Sequence, residues 1–186
     1  PQAELELAPG SPLFIAFQSI NFSQATNILY KPFYSRLKNT KYFTEKFPFR
    51  RDVTSEMIFP NGICVKPFSG SDDAVLGLTV VGAGITELNR MAYVIGSKRT
   101  SKITSLDAEM SAYDQALVIY KTLVRRMESR TMQLGKVWGK IVLDAAHEHE
   151  DDFTSKKVRE AAKQKEGERR IYRLVSPATR SRRPRQ

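Results

Sequence analysis

The stretch that most constrains the fold is residues 74–94, AVLGLTVVGAGITELNRMAYV. Its first half is an apolar run that is rich in β-branched residues and interrupted mainly by glycines. Such a short apolar run is typical of a strand that is buried on both faces in the middle of a parallel sheet. The pattern therefore predicts a central strand over residues 78–85.

The central run ends abruptly on polar residues, of which Thr86 and Glu87 come first. In open α/β sheets, ligands and catalytic groups lie at the carboxyl ends of the central strands. A carboxylate held there can orient a water molecule or accept its proton. From these residues alone two interpretations stay open: Glu87 is a catalytic group, or it marks the exit of the strand into solvent.

Other elements are predicted on both sides of this strand. Residues 13–17 form an apolar strand candidate, and near-helical apolar spacing predicts a helix over 22–39. Pro32 is expected to kink that helix or end it early. Further strands are predicted at 53–59, 63–68, 138–143 and 170–175, of which the first two form a hairpin around Asn61-Gly62. The strand at 138–143 is expected to be buried.

The clearest helical pattern covers residues 107–130. Acidic residues open it and basic residues close it, as the helix macrodipole favours. Its apolar stripe, at spacings of three and four, is Met110, Tyr113, Leu117, Tyr120, Val124 and Met127. A second, charged helix is predicted over 152–166. Strands that alternate with helices indicate an α/β fold with a mainly parallel central sheet flanked by helices.

The positive charge is concentrated near the carboxyl end of the sequence. The net charge is +10, and residues 155–186 carry twelve Lys or Arg and three Glu, a net charge of +9. Residues 177–186 are expected to form a disordered basic tail, and residues 1–11 a linker. Such a tail attracts nucleic acid phosphates, or it serves only solubility. The candidate phosphate contacts are Arg180, Arg182, Arg183 and Arg185 in the tail, and Arg125, Arg126 and Arg130 at the helix end.

Two further segments leave alternatives open. Residues 40–51 interleave aromatic and basic side chains, which would stack on nucleotides or fold the segment onto the core. Residues 147–152 (HEHEDD) carry possible metal ligands, although a solvated loop explains the same pattern, and we predict no metal site there. The single cysteine, Cys64, is interpreted as a small buried apolar residue.

Length and composition limit the class of protein. The 186 residues suffice for one α/β domain with its own core. No apolar run reaches the roughly 20 residues of a membrane helix, and the first residues do not resemble a signal peptide. With one cysteine, no internal disulfide is possible. We therefore expect an intracellular protein that does not bind a membrane.

Four segments of this sequence resemble the ATPase domain of the large terminase subunit, the motor that packages DNA into the procapsid of tailed bacteriophages. They span roughly residues 12–162, and their order and spacing are more specific than any one of them. The segments are 13–29 (LFIAFQSINFSQATNIL), 59–89 (FPNGICVKPFSGSDDAVLGLTVVGAGITELN), 113–130 (YDQALVIYKTLVRRMESR) and 139–161 (GKIVLDAAHEHEDDFTSKKVREA).

The resemblance implies a fold, a cofactor and partners. It implies an additional-strand P-loop ATPase fold over residues 12–176, with ATP and Mg²⁺ as cofactors. Glu87 falls on the glutamate that orients the attacking water, Thr86 on the preceding acidic position, and Asp144 on the motif that couples hydrolysis to movement. The implied partners are double-stranded DNA, the portal and the small terminase subunit, with a possible homo-oligomer, in the cytoplasm of a bacterial host.

Two departures limit what the resemblance implies. The phosphate-binding motif GxxxxGK[ST] occurs nowhere in the sequence, and Thr86 cannot supply the charge of a Mg²⁺-binding aspartate. The resemblance therefore implies part of a terminase ATPase module, which we expect to be inactive alone. The alternatives are a basic α/β protein that binds nucleic acid without catalysis, and a nucleotide-binding scaffold in a packaging complex.

Overall fold

The computed structural model describes residues 10–95, 112–131, 139–145 and 152–164. The chain divides into two compact units, Pro1–Ala146 and His147–Gln186. The strands of the first unit are β1 (Leu13–Gln18), β2 (Met57–Ile58), β3 (Ile63–Phe68), β4 (Val80–Thr86), β5 (Tyr93–Ile95), β6 (Ala112–Asp114) and β7 (Lys140–Asp144), and its helices are α1 (Phe22–Gln24), α2 (Lys31–Lys38) and α3 (Gln115–Thr131). In the described part of the second unit, α4 covers Phe153–Lys163.

Five of these strands form one sheet in the order β2-β3-β1-β4-β7. The strands β3, β1, β4 and β7 are mutually parallel, and β2 is antiparallel to β3. The prediction of an α/β fold with a mainly parallel sheet is therefore confirmed. The strands β1, β4 and β7 lie side by side, and α3 contacts β4.

The central strand β4 begins at Val80, two residues after its predicted start. Before it, a 3₁₀ turn covers Asp72–Val75, and Gly77 adopts a positive φ of 81° that turns the chain into the sheet. The apolar run is therefore longer than the strand. Within β4, Val80 and Ile85 are almost completely buried, as the apolar pattern predicts.

The helix α3 begins at Gln115, not at residue 107. Residues 112–114 form β6, which pairs antiparallel with β5, so the predicted helix was wrong there, while residues 107–111 lie outside the described part. The Asp114 carboxylate accepts a hydrogen bond from the backbone N–H of Leu117 at 3.0 Å and caps the helix.

The buried face of α3 also differs from the predicted stripe. The most buried residues are Ala116, Ile119, Leu123 and Met127, at spacings of three and four. Of the predicted stripe only Met127 belongs to this set, and Leu117, Tyr120 and Val124 are half-buried. The two sets together form one broad apolar face, and contact with the flat sheet determines which line of side chains lies at its centre.

The predicted helix over 22–39 is confirmed as a run of three helical pieces. α1 leads into a π-helical stretch, Ala25–Tyr30, and α2 follows without a break. Pro32 is near the start of α2 and does not end the run. The wider π-helical turn immediately precedes it, which fits a residue that lacks the N–H of a regular helical ladder.

The predicted hairpin is present, although its first strand is short. Only Met57–Ile58 pair with β3, and Gly62 has the positive φ of 81° that the turn requires. Three aromatic side chains of residues 40–51 pack at this hairpin, so the interpretation as a segment folded onto the core is confirmed for these three. The buried cluster comprises Tyr30, Phe49, Met57, Phe59 and Val65, with Tyr34, Phe43 and Phe47 packed against it.

The predicted strand over 138–143 exists as β7, but it is not buried. Among the described strands it pairs only with β4, and Val142 is 65% exposed. In the second unit, α4 confirms the predicted helix 152–166 within the described residues, and Asp152 caps its start. Three predicted elements lie outside the described residues: the linker 1–11 except for its last two residues, the strand 170–175 and the tail 177–186.

No helix in the described segments is long and apolar enough to cross a bilayer.

Candidate functional site

The carboxyl ends of the parallel strands meet at one edge of the sheet. The chain leaves β1 toward β3 on one side, whereas it leaves β4 toward β7 on the other. The edge between β1 and β4 is therefore a topological switch point, where ligands bind in open α/β sheets. The residues collected there are Gln18 at the end of β1, Ser69–Ser71 after β3, Thr86 and Glu87 at the end of β4, and Asp144 at the end of β7.

Glu87 has an unusual backbone at this edge. Its φ of 59° and ψ of 34° are left-handed, and it is the only residue other than glycine with a positive φ in the described chain. This conformation costs roughly 1–2 kcal/mol for a residue with a side chain. Such residues concentrate at functional sites, where the surrounding structure imposes the strain.

The surroundings of Glu87 hold it in place. Its backbone N–H donates to the Asp144 carbonyl at 3.0 Å, which continues the pairing of β4 with β7. Its carboxylate lies 3.5 Å from Nε of Arg90, and its side chain is 35% exposed. The carboxylate is therefore accessible to solvent and is fixed at the strand end by the backbone and by a nearby cation.

Thr86 and Asp144 are joined across the two strands. They are paired in the register of β4 and β7, and the buried Thr86 hydroxyl donates to Oδ2 of Asp144 at 3.2 Å. The resemblance implies a role in ATP hydrolysis for both residues, and the structure brings them into contact. A hydroxyl and a carboxylate therefore lie beside the Glu87 backbone, at the carboxyl edge of the sheet.

A polar loop on the other side of β1 was missed as a site by the sequence interpretation. The amide Nε2 of the buried Gln18 donates to the carbonyls of Ser69 and Ser71, at 3.0 and 3.3 Å. Gln115 donates from its Nε2 to the carbonyl of Gly70 and accepts from the backbone N–H of Ala92 at 2.9 Å. The loop is thus held from two sides by glutamine amides.

An open cleft of about 440 Å³ lies beside this loop. Its lining residues are Ile20, Asn21, Phe22, Ser69, Gly70, Ser71, Ala92 and Gln115. No sequence signal marks Gln18 or Gln115, because a glutamine at the end of a strand or the start of a helix is common. Their role depends on partners that are 51 and 45 residues away in sequence.

The arginines of α3 are not part of this edge. Gln115 starts α3 beside the loop, and Arg125 and Arg126 follow about 15 Å further along the helix. Their end of α3 lies near the start of β7, since a side-chain carbon added to Gly139 would come within 2.9 Å of the Met127 sulfur. Arg125 is exposed and Arg126 is half-buried, while the side chain of Arg130 lies outside the described part.

The remaining candidates have structural roles or lie outside the description. Asp152 accepts a hydrogen bond from the backbone N–H of Ser155 at 2.6 Å, and residues 147–151 and the tail arginines lie outside the described residues. Cys64 is 5% exposed, and burial, with the Glu56 carboxylate nearby, raises the pKa of its thiol to about 11. Its interpretation as a buried core residue is confirmed.

Comparison with known protein families, with curated proteins and with solved structures found no match to this chain.

The strain at Glu87 gives a direct prediction. Glu87→Gly should raise the free energy of unfolding by about 0.5–1 kcal/mol, because glycine adopts the left-handed region without a steric penalty. Glu45→Gly is the matched control, since Glu45 is exposed and lies in the π-helical stretch Tyr42–Lys46. Its substitution should lower stability by about 1 kcal/mol. Urea unfolding of both variants measures the difference, and a destabilised Glu87→Gly protein would contradict the assigned strain.

Proposed function

We propose that the chain is part of the ATPase module of a large terminase subunit, with the P-loop ATPase type of α/β fold. The proposal depends on one observation: the strained Glu87 lies at the carboxyl end of the central parallel strand. Its backbone N–H donates a hydrogen bond to the carbonyl of Asp144 on the next strand. This is the position at which the sequence resemblance assigns the catalytic glutamate. The unusual backbone supports a functional role over a simple exit into solvent.

The residues at this edge fit Mg²⁺ in part. Carboxylate and hydroxyl oxygens are its preferred ligands, and it is usually bound by one or two carboxylates together with substrate phosphates. Asp144 and the Thr86 hydroxyl supply such oxygens, although the described residues contain no group of three or more His, Cys, Asp or Glu side chains that could hold a metal ion by themselves. When bound, Mg²⁺ would neutralise phosphate charge.

The chain's own residues then have separate roles in the proposal. Glu87 orients the attacking water and accepts its proton, because its carboxylate is accessible and fixed at the strand end. Thr86 holds the Asp144 carboxylate through its hydroxyl, and Asp144 supplies the negative charge that Thr86 lacks. The absent GxxxxGK[ST] motif leaves the triphosphate without its usual cradle of N–H groups and lysine.

The expected result for the chain alone is no useful ATP hydrolysis, because phosphoryl transfer depends on positioning and charge neutralisation by the missing loop. If the gene encodes a longer product that contains the motif, that protein should show Mg²⁺-dependent hydrolysis. Glu87→Gln should reduce its rate at least about 100-fold, whereas the exposed Glu45→Gln should leave it unchanged. Phosphate release measures both.

The opposite outcomes would contradict the proposal. Hydrolysis by the short chain that disappears in Glu87→Gln would show that the loop is not required. Hydrolysis by the longer protein that survives Glu87→Gln would remove the assigned role. Portal and capsid genes beside this gene would support packaging, and their absence would favour the alternative of a basic α/β protein that binds nucleic acid without catalysis.

A further inference from the structure

A basic surface segment packs beside the hairpin of β2 and β3, of which β3 is two places from β4 in the sheet. Residues 31–51, which we name the basic arm, contain seven Lys or Arg and only one acidic residue, Glu45. All seven cations are exposed. The arm comprises α2, the π-helical stretch Tyr42–Lys46 and the residues that follow it. This concentration of like charge raises the local potential and attracts anions.

Most of the cations in the arm have no acidic partner. Arg50 pairs with Asp52 at 2.6 Å, and Nζ of Lys31 donates to the Asn27 side chain at 2.8 Å. Within the described part of the chain, no carboxylate lies within 4.0 Å of the other five, which are Arg36, Lys38, Lys41, Lys46 and Arg51. The described part of the first unit therefore presents five exposed cations that have no carboxylate within 4.0 Å.

The aromatic residues of the arm divide into an inner and an outer set. Phe43, Phe47 and Phe49 pack on the core, whereas Tyr42 is 56% exposed. The Tyr42 ring lies 5.1 Å from the Phe43 ring and 6.3 Å from the Phe47 ring. It therefore packs against two rings that cover the buried cluster and keeps much of its own surface in water. An unpaired base can stack on an exposed aromatic ring that neighbouring side chains hold in place and that has lysines near it in the sequence.

We propose that the basic arm binds single-stranded nucleic acid, with Lys38, Lys41 and Lys46 on phosphates and Tyr42 stacked on a base. The three lysines and the tyrosine fall within nine consecutive residues, so one short stretch of strand reaches all of them. A duplex offers the phosphates but keeps its base faces covered, which is why the exposed ring favours a single strand. The proposal does not depend on ATP hydrolysis at Glu87.

The charge part of the proposal is tested by the salt dependence of binding. The full chain is titrated against a labelled oligothymidylate of about 15 nucleotides, with fluorescence anisotropy at several salt concentrations. Replacing Lys38, Lys41 and Lys46 with alanine should flatten the log–log salt slope by about 2, since each lost single-strand contact removes about 0.7. The control replaces the exposed Lys121, Lys140 and Lys156, which removes the same charge from other elements and should change the slope less.

The stacking part is tested at Tyr42. Tyr42→Ala should weaken binding of the oligothymidylate by about 5- to 150-fold, and Tyr42→Phe should retain most of the affinity. A duplex of equal length should not respond to Tyr42→Ala, and circular dichroism verifies that each variant is folded. The proposal fails if Tyr42→Ala leaves single-strand binding unchanged, if the control lysines matter equally, if deletion of residues 177–186 abolishes binding, or if only duplex DNA or phosphatidylserine vesicles bind.

Discussion

Replacing Gly70 with alanine is expected to destabilise the protein by about 3 kcal/mol or more, or to prevent folding. A side-chain carbon at this position would overlap the carbonyl oxygens of Ser19 and Ile20 and lie 2.8 Å from the Ile20 carbonyl carbon. These are backbone atoms at the end of β1, so no rotamer change relieves the overlap. The loop cannot retreat freely, because Gln18 and Gln115 hold it from two sides.

Gly82→Ala is the matched control for Gly70. Its added carbon would lie 3.5 Å from a side-chain carbon of Ile15, an ordinary contact, and no positive φ is involved. The free energy of unfolding should change by less than about 1 kcal/mol. Urea unfolding followed by circular dichroism compares the two variants. Equal effects would show that the loop is not packed against β1 as the structure describes.

Truncating Leu123 should lower the free energy of unfolding by about 2–5 kcal/mol. This side chain is completely buried in the middle of α3, the helix that contacts β4. Leu123→Ala removes apolar surface from the core and leaves a cavity that the surrounding sheet fills only in part. The expected loss is a large share of the 5–15 kcal/mol that stabilises a typical domain.

Leu76→Ala provides the comparison for Leu123, because the same atoms are removed from a residue that is 50% exposed. Its cost should stay below about 1 kcal/mol. Urea unfolding measures the stability of both variants. A shift of the midpoint reports a change in stability when the dependence of the free energy of unfolding on urea concentration is unchanged. A Leu123 variant as stable as the Leu76 variant would mean that another face of α3 is in contact with the sheet, such as the predicted stripe through Tyr120.

Local signals in the sequence determined several features. The apolar run before Thr86 predicted the central strand, because a strand in a sheet that is covered on both faces needs apolar residues on both faces. Asn61-Gly62 predicted the hairpin turn, since glycine adopts the positive φ that the turn requires. For the site, the abrupt change from apolar to polar residues was enough to select Thr86 and Glu87.

Only the tertiary structure decided the features that depend on distant partners. Periodicity shows that α3 has an apolar side, but the sheet determines that Ile119 and Leu123 lie at its centre. The apolar residues of β7 suggested burial, yet the strand order leaves Val142 exposed. Two features arise from chain segments that folding brings together. They are the left-handed backbone of Glu87 and the hydrogen bonds from Gln18 to the loop at Ser69–Ser71. A local pattern contains no information about which segments those are, because it reports the environment of a residue and not the identity of its neighbours.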